Sequence, residues 1–158
     1  MKRSDARESA FLYLYQRTVR ADAMEELFTA AAEAENEELR LNDFARRLIL
    51  LCDEKTEELD AVIERHLDKW KLSRLPNLTL AALRLAACEL LYNPDIPAAV
   101  TINETIELLK KYASPEDAAF ANGVLGGIVR DEAVAEPASP VPDEDEDDAD
   151  TAPAEQKE

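Results

Sequence analysis

The 158-residue chain is poor in the residues that build most active sites: three glycines, two cysteines, one histidine and one tryptophan. The glycines sit together, at Gly123, Gly126 and Gly127. No glycine-rich loop is therefore placed to cradle a phosphate. A β-rich chain would also need more turn residues than this. Cys52 and Cys88 lie far apart, which excludes CxxC metal and redox motifs and fits a reducing compartment. With His66 as the single histidine, a histidine-dependent triad or a multi-histidine metal site is nearly ruled out. We expect no catalytic residue, cofactor or metal. No apolar run reaches the length of a membrane span, so no membrane partner is expected. The start of the chain is charged and has no apolar core segment, which reads as the absence of a signal peptide and a cytoplasmic protein.

Acidic residues are abundant, 35 against 18 basic, for a formal charge of −17. Residues 131–158 carry 12 acids and one lysine, while residues 1–130 carry 23 acids and 17 bases. The 131–158 segment also holds four of the eight prolines and almost no large apolar side chain. Such a stretch cannot bury enough surface to offset its ordering entropy. It is expected to be a disordered acidic tail, with an unbroken acidic run at 143–148. It reads as a solubilising segment; the sharper alternative is a mimic of nucleic acid or a shield for a basic patch.

Residues 1–130 form the expected folded domain, and they read as all helix. Helices are expected at about 5–20 and 21–34. Asn42 caps a long stretch whose apolar line is Phe44, Leu48, Leu51, Cys52, Leu59, Val62, Ile63, Leu67 and Trp70, as one helix or two stacked ones. Residues 78–92 are apolar on nearly every side, the mark of a central helix surrounded by neighbours. Its cap is expected at Asn77 or Thr79. Thr101 through Glu104 fits a capping box, and Ser114-Pro115-Glu116-Asp117 is a cap, a first-turn proline and first-turn acids. The helices they open should run to about Tyr112 and Ile128. The sum is an all-α, compact bundle of six to seven helices.

Adjacent carboxylates such as Glu57 and Glu58 point in different directions on a helix and form no dyad. His66 and the two cysteines fit packed structural positions. Arg84 and Glu89 stand out, because charges on a buried helix need partners. Five residues apart, they should each have their own.

The ordered motifs resemble one family. Leu83-Arg84-Leu85-Ala86 with Glu89-Leu90 resembles the LRxAxxEL signature of NusB transcription antitermination factors. Asp95-Ile96-Pro97, then Val100 to Glu104 and Ile106-Glu107-Leu108, resembles their next run. Phe120-Ala121-Asn122-Gly123-Val124-Leu125 resembles their F-[VI]-N-G-[VI]-L. Ala6-Arg7-Glu8 with Ala10 and Tyr15 resembles their opening, and Trp70, Arg74 and Leu75 fit their W…RL link.

The resemblance implies a non-catalytic RNA-binding protein. It would pair with the small-subunit ribosomal protein that acts as NusE. Together they would bind single-stranded boxA RNA of rRNA leaders and join the RNA polymerase antitermination complex. It implies RNA contacts at Lys2, Arg3, Arg7, Lys110, Lys111, Tyr112, Phe120 and Asn122, and partner contacts at Tyr15, Arg74 and Thr79. Phosphates would meet the cations and bases would stack on the rings. The chain departs from the family at Asp5 and Ala119, where basic residues are common, and at Thr79, where an acid is common. The acidic balance supports an alternative: a protein–protein adaptor of the same fold with weak RNA affinity.

Overall fold

The computed structural model describes residues 3–20 and 42–132, with the isolated positions 26, 29 and 134. Among them are six α-helices, one 3-10 turn and no strand. These are α1 (Arg3–Val19), α2 (Asp43–Glu54), α3 (Thr56–Arg65), α4 (Asn77–Tyr92), α5 (Ala98–Tyr112) and α6 (Pro115–Asp131), with the turn at Leu72–Arg74. Of the helix expected at 21–34, Glu26 and Thr29 are described and both are helical; its other residues, the tail beyond residue 134 and Lys2 lie outside the described residues.

Helix α4 is the axis. It packs against α1, α2, α3, α5 and α6, while α1 also packs on α2 and α5 on α6. Ten of its residues are buried, as its all-round apolar pattern predicts. Every helix contributes a fully buried large side chain to one core: Phe11, Ile49, Leu59 and Ile63, Leu83, Leu109, and Leu125 with Ile128. Each such side chain contributes about 1.5–3 kcal/mol relative to exposure.

Two caps are as the sequence implies. The Asn42 side chain accepts from the Ala45 amide at 2.8 Å. Ser114 accepts from the Asp117 amide at 3.0 Å, with Pro115 opening α6. The long stretch after Asn42 is two helices. The chain breaks at Lys55, where the Thr56 hydroxyl donates back to the Cys52 carbonyl at 2.8 Å, a bond that favours bending.

Three expectations are corrected. Thr101 does not cap α5, which begins three residues earlier, behind Pro97. The Thr101 side chain is needed elsewhere: buried, it donates to Glu89 Oε1 at 2.9 Å. Neither Asn77 nor Thr79 caps α4, because Pro76 with extended backbone geometry precedes it and Thr79 lies within the first turn, fully buried. Trp70 does not continue the apolar line. Helix α3 ends at Arg65, the periodicity ends with it, and Trp70 is 55% exposed.

The two charges on α4 have separate partners, as expected. Arg84 holds Asp60 of α3 with two bonds of 2.8 Å. Glu89 takes Arg7 Nε at 2.7 Å in the core between α1 and α4. His66, after α3, fits against Gly127 of α6: a Cβ at Gly127 would stand 3.0 Å from the imidazole. Cys52 and Cys88 are buried free thiols. A hydrogen bond with Cys88, then burial, push the Cys52 thiol well above its usual range, which disfavours a Cys52 thiolate.

Candidate nucleic-acid interface

The residues implicated in RNA contact come from the start of α1, the end of α5 and the first half of α6. Periodicity sets which side each faces. On α5, Ile102, Asn103, Ile106 and Lys110 recur at spacings of three and four. On α6, Pro115, Ala118, Ala119 and Asn122 do the same. These two stripes face each other across an open groove of about 530 Å³ with an apolar floor. Lys110 and Asn122 meet here. The Lys110 side chain is 55% exposed, and its ammonium lies 3.8 Å from Glu107.

One residue on, the end of α5 turns toward α1. Lys111 Nζ sits 2.6 Å from Glu8 Oε2 and 5.2 Å from the centre of the Tyr112 ring. The Tyr112 hydroxyl donates to the same Glu8 oxygen. The Tyr112 ring packs against Phe11 with centroids 5.6 Å apart. A single carboxylate on α1 therefore fixes both the cation and the aromatic at the end of α5. Lys110 and Lys111 also lie in the last turn, where cations complement the helix dipole.

The remaining residues divide. Arg3 lies over the Phe44 ring at 5.3 Å. Phe120 is half-buried, packed against the core, and Asn122 is exposed. Arg7 is not on the surface: its side chain is 3% exposed and committed to Glu89. As a direct phosphate contact it is corrected, since α1 turns it inward while Glu8, the next residue, points toward α5. Among the partner residues, Tyr15 is half-buried and Arg74 is exposed in the 3-10 turn. Thr79 is buried beneath the surface and cannot touch a partner in this arrangement. Among the described residues its hydroxyl has no hydrogen-bond partner.

Sequence reasoning missed Glu8 and Asn103. Asn103 was recoverable, since it shares the Asn103, Ile106, Lys110 stripe. Glu8 was not, since it lies 103 residues from Lys111. No group of three or more histidine, cysteine, aspartate or glutamate side chains able to hold a metal is present among the described residues. No helix among the described residues is long and apolar enough to cross a membrane.

Comparison with known proteins agrees with this geometry. The NusB family model matches residues 4–130. The transcription antitermination protein NusB of Lysinibacillus sphaericus is 39% identical over 132 residues, covering 84% of this chain and all of that protein. Its counterpart in Myxococcus xanthus is 39% identical over 130 residues, covering 80% of this chain and 93% of that protein. Among solved structures, T. maritima NusB superposes with a TM-score of 0.72 at 34% identity, covering 83% of this chain and 92% of that one. A chain from the antitermination factors NusB and NusE in complex with dsRNA superposes with a TM-score of 0.71 at 32% identity, covering 81% and 96%. The motifs, the six helices and these matches agree over the same residues, and the chain belongs to the NusB family.

Proposed function

We propose that this chain is a transcription antitermination factor. It binds boxA-type single-stranded RNA of rRNA leader transcripts together with the small-subunit ribosomal protein acting as NusE, and the pair joins transcribing RNA polymerase. The likeness to a chain from the antitermination factors NusB and NusE in complex with dsRNA carries the reading of an RNA- and NusE-binding protein; the single-stranded boxA target rests on the family resemblance. It is a cytoplasmic binding protein, and no step of its action needs catalysis. Residues 1–130 are the binding unit, and 131–158 are an acidic tail.

The described side chains support a division of labour. Arg3, Lys110 and Lys111, with Lys2 before them in sequence, neutralise phosphates. Tyr112 and the accessible part of Phe120 offer rings to unstacked bases, and Asn122 offers an amide that both donates and accepts. Tyr15 and Arg74 face the protein partner. Arg7 and Thr79 act only through the fold. Calorimetry of the chain with its ribosomal-protein partner, then with a boxA oligonucleotide, tests the reading. The pair should bind RNA more tightly than either protein alone, and absence of association with the partner refutes it.

One observation favours the adaptor reading. Arg7 is withdrawn into the core and Glu8 already occupies Lys111. If the complex forms but the chain adds nothing to the partner's RNA affinity, the adaptor reading holds.

A further inference from the structure

We propose that the acidic segment of this chain beyond residue 134 docks on its own surface, over the exposed basic-aromatic turn formed by Lys69, Trp70, Lys71 and Arg74. Trp70 is the most exposed large apolar side chain among the described residues, at 55%. It lies between two exposed lysines, and exposed Arg74 follows in the 3-10 turn. The opposing acids nearby are Asp68 and Glu64, and Glu64 accepts from the Leu72 amide at 3.4 Å. In a chain of net charge −17, residues 69–74 carry three positive charges and no negative one.

The docking partner follows from where α6 ends. Arg65 Nη2 holds Glu132 Oε1 at 3.0 Å, and His66 Nε2 lies 3.1 Å from Asp131 Oδ2. Val134 packs against the core. The chain thus leaves α6 pinned to Arg65 and His66 at the end of α3, five and four residues before Trp70. The acidic run 143–148 begins nine residues after Val134, a reach of up to about 30 Å when extended. Four residues from His66 to Trp70 span at most about 14 Å. The run reaches the turn with slack, and an intramolecular contact needs little intrinsic affinity. Six consecutive carboxylates facing three cations and an aromatic ring are complementary in charge. Single-stranded RNA would satisfy the same groups, but it is not tethered beside them. Arg74 belongs to the same turn, so a docked tail also covers a contact proposed for the protein partner; that consequence alone rests on the function proposed above.

Trp70 is the chain's single tryptophan, so its fluorescence reports on this site alone. The test compares the full chain with a full-length variant in which D143N, E144Q, D145N, E146Q, D147N and D148N remove the run's charge. Neither partner nor RNA is needed. Acrylamide should quench the parent at least about twofold less than the variant at 10 mM salt, because a covered ring loses collisional access. The difference should vanish near 1 M salt, where the Debye length falls to about 3 Å. The paired substitution K69A/K71A should abolish it as well. Equal quenching of parent and variant at low salt overturns the proposal. So does protection of Trp70 by added oligouridylate in the parent at low salt without a prior difference between parent and variant, which would assign the turn to RNA.

Discussion

Replacing Arg7 by alanine should destabilise the fold and leave the RNA surface intact. Arg7 and Glu89 form a 2.7 Å ion pair whose side chains are 3% and 0% exposed. Glu89 spends its second oxygen on the Thr101 hydroxyl, and Thr105 donates to the Thr101 carbonyl at 2.8 Å. The pair thus joins α1, α4 and α5 through one carboxylate. Removing the guanidinium leaves that carboxylate desolvated and without a counterion. Breaking a buried pair in this way costs about 3–5 kcal/mol. A domain of this kind has about 5–15 kcal/mol in total. At roughly 4 °C per kcal/mol for a body of this size, Tm should fall by roughly 12–20 °C.

Urea unfolding followed by circular dichroism measures the loss. RNA binding should be assayed well below the variant's transition, with the protein partner present. There the folded fraction should keep the parent affinity and salt dependence. The paired variant R7M/E89M should recover much of the stability, because neither charge then remains buried, leaving chiefly the roughly 1–3 kcal/mol cost of a Thr101 hydroxyl without its acceptor. The reasoning is refuted if Arg7→Ala unfolds within about 1 kcal/mol of the parent. It is equally refuted if the folded variant loses RNA affinity and shows a shallower salt slope, which would place Arg7 on a phosphate.

Glu8→Gln should keep acceptors for Lys111 and Tyr112 while removing the charge beside them; gel-shift affinity should rise and the salt slope steepen by up to about 0.7 for one more phosphate neutralised. Phe120→Ala should weaken RNA binding by roughly 1–3 kcal/mol with an unchanged salt slope, whereas Lys110→Ala should make the slope shallower. Gly127→Ala should destabilise despite alanine's higher helix propensity, because the new Cβ meets an imidazole held by the Val62 carbonyl and Asp131; thermal melts of this variant and of Gly126→Ala, where the added Cβ meets nothing, separate the two effects. Burial pushes the Tyr13 hydroxyl up to about 12, against the opposing pull of Arg17 and Arg46. The folded state then holds a proton that the unfolded state releases near pH 10, so stability should fall as pH rises from 10 to 12, and Tyr13→Phe should flatten that fall in urea titrations.

What the sequence made legible follows the range of the interactions involved. The Asn42 and Ser114 caps are local hydrogen bonds spanning three residues, and both stand as read. Helix α4 was legible because burial on all sides leaves a pattern within its own residues. The charges on α4 announced that they needed partners, but not which ones: Asp60 and Arg7 lie 24 and 82 residues away. The misread cap at Thr101 shows the same limit from the other side. Its spacing to Glu104 satisfies the local rule, yet the hydroxyl is worth more as a donor to buried Glu89. Pro97 then opens the helix instead. Trp70 was misplaced because a periodic line was carried past Arg65, where the helix that generated the period stops.

The site was less legible than the fold, and Arg7 and Glu8 show why. Consecutive residues on a helix differ by about 100° in direction. One step along α1 therefore separates a cation sunk against α4 from a carboxylate facing the end of α5. By residue type alone, Arg7 looks like the phosphate contact and Glu8 like a residue that repels RNA. By position, Arg7 fixes the angle at which α1 meets α4, and Glu8 sets where Lys111 and Tyr112 stand. The surface charge available to RNA is thus smaller than the motif count suggests, while the positions of the remaining groups are more tightly held. Affinity in such a site depends on placing few cations well, and on the charge a protein partner adds beside them. The Glu8→Gln variant separates these contributions. If placement dominates, its affinity changes little even at low salt, because the glutamine oxygen still accepts from both Lys111 and Tyr112. If charge dominates, the gain is largest at low salt and disappears as the Debye length shortens below about 8 Å.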